Sequence, residues 1–172
     1  MARTSSTPPS KSDDRVDNLL RDWRRERPEL DVSPMAVVGR ILHAGSLLEA
    51  RASRSLKGMG IHYTDLDVLA TLRRVGSPYR LTPTVLRQSV LITSGAMTAC
   101  LNRLEKAGFV RRSLEDSDRR SLTAALTAKG RALVDKAIVV RFAEAKQAVS
   151  CLSQADQAKL AQLLRTLSAG LN

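Results

Sequence analysis

Aromatic residues, cysteines and histidines are all scarce in this chain. Only 3% of the residues are aromatic, so a folded core must be built mainly from aliphatic side chains. The two cysteines, Cys100 and Cys151, are too few for a disulfide framework and indicate free thiols in a reducing cytoplasm. Two scattered histidines do not predict a zinc site, and we expect neither a metal nor a cofactor.

Long apolar runs and catalytic motifs are also missing. No run approaches the roughly 18 apolar residues that a membrane span requires. The N-terminal residues contain no apolar core of a secretory signal, so we expect a cytoplasmic protein. The sequence has no Gly-rich phosphate loop, nucleophile elbow or catalytic pair of carboxylates, and an enzyme is therefore not expected.

Acidic residues are the minority among the charged ones. The chain has 28 Lys and Arg against 17 Asp and Glu, which gives a formal net charge of +11. This excess favours a polyanionic partner, either nucleic acid or an anionic membrane surface. Residues 73–120 hold ten Lys and Arg and four acids, an excess of six positive charges. This excess falls on the segment that has the pattern of a DNA-binding motif, and it favours nucleic acid.

Residues 81–126 have the pattern of a winged helix-turn-helix. A short capped helix over 82–89 is followed by the apolar turn 90–92 and by a second helix that begins at Thr93 or Ser94 and ends at Ala107. Short strands over 109–113 and 121–126 enclose a charged tip at 115–120. A second helix that docks in the major groove, followed by a basic hairpin, is a known way of reading duplex DNA. The alternative is two small helices and a hairpin without a nucleic-acid role.

The second helix has distinct inner and outer faces. Met97, Leu101 and Leu104 recur with spacing i, i+4, i+7 and are expected to face inward. Small residues at the helix start allow a close approach to DNA, while hydroxyl and amide groups can bind bases or phosphates. Arg103 and Lys106 are expected to contact phosphates or to form salt bridges. The predicted DNA-binding residues of this helix are Ser94, Gly95, Thr98, Ala99, Asn102, Arg103 and Lys106.

The hairpin tip supplies two further candidates, Arg119 and Arg120. Asp118 can hold one arginine in place while the other reaches a narrow minor groove. The alternative for both arginines is a solvated hairpin tip.

Helices are predicted on both sides of this segment. Their apolar stripes include Val16, Leu19, Leu20 and Trp23 near the N-terminus and Leu160, Leu163, Leu164 and Leu167 near the C-terminus. Thr64, Thr127 and Ser153 are expected to cap the helices that follow them. We predict a mainly α fold with a disordered tail (1–12), N-terminal helices (13–60), a winged helix-turn-helix domain (61–126) and C-terminal dimerisation helices (127–172). The terminal stripes favour an obligate homodimer, with a monomeric bundle as the alternative.

Three sequence blocks carry a family resemblance. They are LNRLEKAGFVRR at 101–112, DRRS at 118–121 and LTAKG at 126–130. With these blocks the chain resembles the MarR family of bacterial winged-helix regulators over nearly its whole length. The resemblance implies a homodimer that binds palindromic sites and that loses DNA affinity when a small, often aromatic or anionic, molecule binds. It also implies a minor-groove contact by Arg120. Several members carry arginine after the recognition-helix threonine, whereas Ala99 follows Thr98 here, so fewer base contacts are expected.

A second resemblance lies in the N-terminal region. The helix with Trp23, the segment ERPELD at 26–31 and the pair Pro34–Met35 resemble the urate-responsive branch of the family, the PecS- and UrtR-like regulators. That branch places a tryptophan, an aspartate and two arginines around its ligand. The matching positions here are Trp23, Asp67, Arg74 and Arg112, with Arg111 as the alternative to Arg112.

These four residue types suit a purine anion. Asp67 and Arg74 are seven residues apart on one predicted helix and therefore share a face. An anion can stack on Trp23, accept two hydrogen bonds from Arg74 and repel Asp67. If Asp67 pairs with Arg112, a displacement of Asp67 would be transmitted through Arg112 to the DNA-reading element. The alternative makes Trp23 a packing anchor and Asp67 part of a capping box with Thr64.

The sequence therefore predicts a homodimeric transcriptional repressor that is released from DNA by urate or a related aromatic anion. Two other classes remain open: a constitutive or architectural DNA-binding protein without an effector, and an interaction module whose basic surface binds an acidic partner. A redox role for Cys100 is not favoured, because a buried cysteine is usually inert.

Overall fold

The structure is a computed structural model that describes residues 14–90, 94–114 and 122–171. The described elements, in chain order, are α1 (Arg15–Glu26), α2 (Ser33–Ser55), a 3₁₀ turn (Lys57–Met59), α3 (Tyr63–Arg74), β1 (Arg80–Leu81), α4 (Pro83–Ser89), α5 (Ser94–Lys106), β2 (Val110–Leu114), β3 (Leu122–Leu126), α6 (Ala128–Ala148) and α7 (Gln154–Gly170). This arrangement confirms the predicted fold class, a mainly helical protein with a winged helix-turn-helix. No described helix is both long enough and apolar enough to cross a bilayer. The predicted tail at 1–12 and the hairpin tip at 115–120 lie outside the described residues.

The chain divides into two compact units, Met1–Glu49 and Ala50–Asn172. In the first unit, Asp14 caps α1 by accepting hydrogen bonds from the backbone of Val16 and Asp17. Arg40 of α2 then donates to the carboxylates of Asp14 and Asp17, at 2.8 Å and 2.6 Å. Val16 and Leu20 are buried on the inner side of α1. One charged network therefore joins the first turn of α1 to α2.

The second unit holds the main core, which is centred on α3. This helix packs against α4, α5, α6 and β3. Its core is aliphatic apart from single methionine and cysteine side chains, as the shortage of aromatic residues requires. The buried members are Leu56, Ile61, Leu66, Val68, Leu69, Leu72, Leu86, Val90, Met97, Cys100, Leu101, Leu104, Val110, Ala124, Val134 and Ala137.

The three strands form one antiparallel sheet in the order β1-β3-β2. Val110 pairs with Leu126 and Leu114 with Leu122, which sets the register of the predicted hairpin. Strand β1 pairs Arg80 with Ala125 at the other edge of β3. The sequence did not predict β1, because two residues are too few to show an alternating pattern.

Two of the predicted helix caps are confirmed, and one is wrong. Thr127 and Ser153 cap α6 and α7 as expected. The prediction that Thr64 caps the third helix was wrong, because α3 begins at Tyr63 and His62 is its N-cap. The reason lies in Asp65, whose carboxylate accepts the backbone N–H of His62 at 3.0 Å, so that the helix begins two residues earlier.

Candidate DNA interface and effector site

Helices α4 and α5 form the helix-turn-helix. Thr82 caps α4, and its hydroxyl accepts the N–H of Val85. The end of α5 is fixed by Gly108, which adopts a left-handed φ of 73°. The N–H of Phe109 then reaches back to the carbonyl of Leu104 at 2.9 Å, as in a Schellman cap. The chain can therefore leave α5 sharply and enter the wing strand β2.

The inner face of α5 is the one predicted from the sequence. The buried side chains recur every three or four residues and are Met97, Cys100, Leu101 and Leu104. This stripe leaves the opposite face to solvent. The exposed predicted residues are Thr98, Ala99, Asn102, Arg103 and Lys106. Ser94 and Gly95 occupy the first two positions of α5, whereas Arg119 and Arg120 lie outside the described residues.

Arg103 is held by a buried carboxylate that sequence reasoning missed. The Nη2 atom of Arg103 lies 2.6 Å from Oδ1 of Asp65, and the Cys100 thiol donates to the same oxygen at 3.1 Å. Asp65 is only 3% exposed. Burial raises the pKa of its carboxyl, but the hydrogen bonds from Arg103, Cys100 and the backbone of His62 outweigh burial, and the pKa lies below 3.8. Asp65 is therefore a buried carboxylate ion at neutral pH.

Cys100 has the environment of a packing residue. Burial raises the pKa of its thiol far above the usual range, and the hydrogen bond to the Asp65 carboxylate raises it further. A thiol that stays protonated is a poor nucleophile and a poor target for oxidants. This environment supports the expectation that Cys100 is inert.

The predicted effector residues are distributed over both units. Trp23 lies in the first unit, where its side chain is 49% exposed. It lines a cavity of about 370 Å³ whose other walls are mostly apolar, formed by Leu19, Leu20, Leu30, Asp31, Val32 and Met35. Asp67, Arg74 and Arg112 lie in the second unit. The three are carried by α3 and β2, with Asp67 and Arg74 on the same face of α3, as their spacing requires.

Both candidate arginines already bind the helix-turn-helix. The Nη2 atom of Arg74 donates to the carbonyl of Ser89, the last residue of α4, at 2.7 Å. Arg112 donates through Nε to Oε2 of Glu105 on α5, at 2.8 Å, and through Nη2 to the same oxygen. Glu105 is thus an ion-pair partner of Arg112, while the pairing of Asp67 with Arg112 that the sequence suggested stays a hypothesis. Glu105 can reach Arg112 because α5 and β2 are consecutive, and it also accepts the backbone N–H of Arg112.

The two consecutive helices and the three-stranded wing define a winged helix-turn-helix protein of the DNA-binding class. The chain belongs to the MarR family of transcriptional regulators. Residues 59–121 match the MarR family model. Over 149 residues the chain is 33% identical to the HTH-type transcriptional regulator PecS of Dickeya dadantii, an alignment that covers 87% of this chain and 90% of PecS.

Two further relatives agree with this assignment. The HTH-type transcriptional repressor Mb2911 of Mycobacterium bovis is 36% identical over 113 residues, which cover 64% of this chain and 79% of that protein. The crystal structure of Sco3205, a MarR family regulator from Streptomyces coelicolor in complex with DNA, superposes with a TM-score of 0.74 at 28% identity. That match covers 83% of this chain and 90% of Sco3205. The protein is a DNA-binding transcriptional regulator, and its relatives are regulators, not enzymes.

Proposed function

We propose that this regulator is a homodimeric repressor that binds palindromic operator DNA and is released by a small anionic aromatic ligand such as urate. The observation that carries the DNA-binding part is the exposed polar face of α5 opposite its buried stripe. The similarity to Sco3205, whose structure contains DNA, supports this use of the fold. The similarity to Mb2911, a repressor, supports repression.

In this proposal α5 enters a major groove of the operator. Thr98 and Asn102 read base edges, while Ser94, Gly95 and Ala99 allow a close approach. Arg103 and Lys106 contact phosphates. Of the two wing arginines, Arg119 and Arg120, it is Arg120 that reaches the flanking minor groove.

Exposed apolar side chains in each unit support a homodimer. Monomeric proteins rarely leave large contiguous apolar patches in water, and a second copy is the simplest cover for them. The exposed apolar residues of α2 include Val37, Val38, Leu42, Leu47 and Leu48, and those of α7 are Leu160, Leu163, Leu164 and Leu167. Light scattering should give twice the mass of the chain, and a monomer at micromolar concentration would contradict this part.

The contacts of the two arginines suggest how a ligand weakens DNA binding. Arg74 is exposed and holds the end of α4, while Arg112 holds α5 through Glu105. An anionic ligand that accepts hydrogen bonds from Arg74 and Arg112 competes with these two contacts, and its charge repels Asp67. The ligand then favours a state in which the helix-turn-helix is less firmly held. This is the differential contact that any ligand-driven switch requires.

A gel-shift titration on the promoter region beside the protein's own gene tests the ligand. Urate should release the DNA from the wild-type protein and not from Trp23→Phe. Arg74→Gln lacks the guanidinium that holds Ser89, so it should bind DNA more weakly without urate and respond little to it. Arg73→Gln is the matched control, because Arg73 neighbours Arg74 on α3 but pairs with Asp135. If the DNA stays bound at every urate concentration, urate is not the effector, but the assignment as a DNA-binding regulator is unaffected.

A constitutive DNA-binding protein is the second candidate. The observation that favours it is that Arg74 and Arg112 already have protein partners, as purely structural arginines would. It predicts that Trp23 fluorescence does not respond to any purine and that Arg74→Gln leaves regulation unchanged.

A further inference from the structure

The Asp65 carboxylate connects the start of α3 to the outer face of α5. Its Oδ2 atom accepts the backbone N–H of His62, and its Oδ1 atom accepts Arg103 and Cys100. The carboxylate is therefore fixed from two sides and cannot turn away without losing hydrogen bonds inside the core. It is a rigid acceptor for whatever side chain reaches it from α5.

Arg103 reaches this carboxylate from a solvent-facing position. Its side chain is 44% exposed, whereas that of Asp65 is 4% exposed. A guanidinium has five N–H donors, and among the described residues the one hydrogen bond that the guanidinium of Arg103 donates goes to Asp65. The remaining donors are thus available on the outer face of α5, beside Asn102 and Lys106.

An arginine held in this way is better prepared to bind a phosphate than a free one. A long side chain at the surface samples many rotamers and loses that freedom when it binds DNA. Here the hydrogen bond to Asp65 already restricts the Arg103 side chain in the folded protein, so less conformational entropy is lost when DNA binds. Arg103 also lies in the last turn of α5, and bases are read mainly from the first turns of a recognition helix. The backbone of DNA is accordingly the expected target.

We propose that Asp65 is a positioning residue for DNA binding: it holds Arg103 in the orientation that donates to an operator phosphate. This rests on the proposed DNA interface on α5. A purely structural ion pair between α3 and α5 would give different results in the experiments below.

Asp65→Asn separates positioning from simple electrostatics. Removing a negative charge close to DNA tightens binding if only the charge matters. If Asp65 positions Arg103, the same change weakens binding roughly three- to tenfold, because the guanidinium loses its charged anchor. Fluorescence anisotropy on operator DNA measures the difference. Equal or tighter binding by folded Asp65→Asn would overturn the proposal.

The salt dependence of binding tests Arg103 itself. Arg103→Gln keeps a donor for Asp65 but removes the charge. The slope of log K against log salt concentration should therefore fall by about one. It is measured at a temperature where the variant is folded, because the loss of the charged partner of Asp65 lowers the melting temperature. This variant keeps the test decisive if Asp65→Asn does not fold. An unchanged slope would show that Arg103 does not meet a phosphate.

A double variant and a matched control complete the design. Asp65→Asn should add nothing further to Arg103→Gln, because both act on one contact. Asp135→Asn breaks the pair with Arg73, which has the same 2.6 Å length but joins α3 to α6. It should leave DNA affinity unchanged or slightly raised, and a loss equal to that of Asp65→Asn would indicate a general structural effect and contradict the proposal.

Two variants on the same face separate this inference from the proposed interface. If Thr98→Val and Lys106→Ala weaken DNA binding while Arg103→Gln keeps the wild-type slope, only the positioning role fails. If none of the three changes binding, α5 is not the DNA interface and both proposals fail.

Discussion

The backbone carbonyl of Phe109 lies against the Cα of Gly130, where it leaves no room for a side chain. A Cβ on Gly130 would come far inside the 3.0 Å that real Cβ contacts respect. The hydroxyl of Thr127 completes this junction, since it donates to the carbonyl of Gly108 at 2.7 Å and accepts the N–H of Gly130 at 3.0 Å. The LTAKG block therefore joins the end of α5, the start of β2 and the first turn of α6.

Gly130→Ala should destabilise the protein for this reason. The opposing atom is backbone, which cannot turn aside as a flexible side chain can, and we expect a loss of about 1–3 kcal/mol in the free energy of unfolding. Urea denaturation measures it. Gly58→Ala is the control, because nothing lies within 4 Å of a Cβ at that position; a similar loss in both variants would mean that the Phe109 contact is not the cause.

Two buried threonines should respond in opposite directions to replacement by valine. Among the residues that the structure describes, none forms a hydrogen bond with the hydroxyl of Thr71, whereas that of Thr123 donates to the carbonyl of Ser113 at 3.1 Å. Thr71→Val removes an unpaired polar group and should raise stability by about 1 kcal/mol, while Thr123→Val should lower it by a similar amount. Thermal unfolding of the two variants is the measurement. A loss of stability in Thr71→Val would show that its hydroxyl is satisfied in solution.

Local patterns explain why most of the fold could be predicted. The stripe of Met97, Leu101 and Leu104 and the caps Thr127 and Ser153 depend on neighbours within two helical turns. Strand β1 and the start of α3 could not be predicted in the same way. The first exists only through pairing with β3, and the second depends on the buried carboxylate of Asp65.

The residue types of the candidate site could be predicted from the sequence, but their hydrogen-bond and ion-pair partners could not. The spacing of Asp67 and Arg74 was enough to place both on one face of α3. Their chain positions gave no indication that Arg74 holds Ser89 or that Arg112 holds Glu105, because such contacts join elements that meet only in the folded protein. The burial of Asp65 was missed for the same reason, although an acid three residues after a helix cap is a recognisable signal.

Asp65 should make stability depend on pH in the acid range. Its folded pKa lies below the ordinary value of 3.8 because the hydrogen bonds from Arg103, Cys100 and His62 outweigh the opposing effect of burial. A lowered pKa in the folded state gives stability that is fully present above the unfolded pKa and is lost as the pH falls through the folded one. The free energy of unfolding should therefore decrease below about pH 4.

Asp65→Asn removes this titrating group. The variant should be less stable at pH 7, and its free energy of unfolding should change less between pH 5 and pH 2 than that of the wild type. Urea denaturation across this range provides the comparison. Parallel curves for the two proteins would mean that Asp65 is not ionised in the native state.

The two cysteines should differ sharply in reactivity. Cys151 is exposed and Cys100 is buried, with the pKa of the Cys100 thiol raised by burial and then by Asp65. A thiol reagent such as DTNB should therefore react quickly with one thiol per native chain and with the second only after unfolding. Cys151→Ser should abolish the fast phase, and alkylation of the native protein should leave DNA binding unchanged. A fast phase in Cys151→Ser would show that the core around Cys100 opens readily.

Thr98 and Arg120 should affect DNA binding in different ways. Thr98 lies on the exposed face of α5, and Thr98→Val removes a hydroxyl with little change in shape. If that hydroxyl reads a base, the variant should lose roughly five- to a hundredfold of its preference for the operator over random DNA, while non-specific binding is kept. Arg120→Ala should instead weaken binding to most sequences, because a wing arginine acts largely through charge in the minor groove. Competition assays with operator and random duplexes separate the two effects, and an equal loss on both duplexes for Thr98→Val would remove Thr98 from the residues that read sequence.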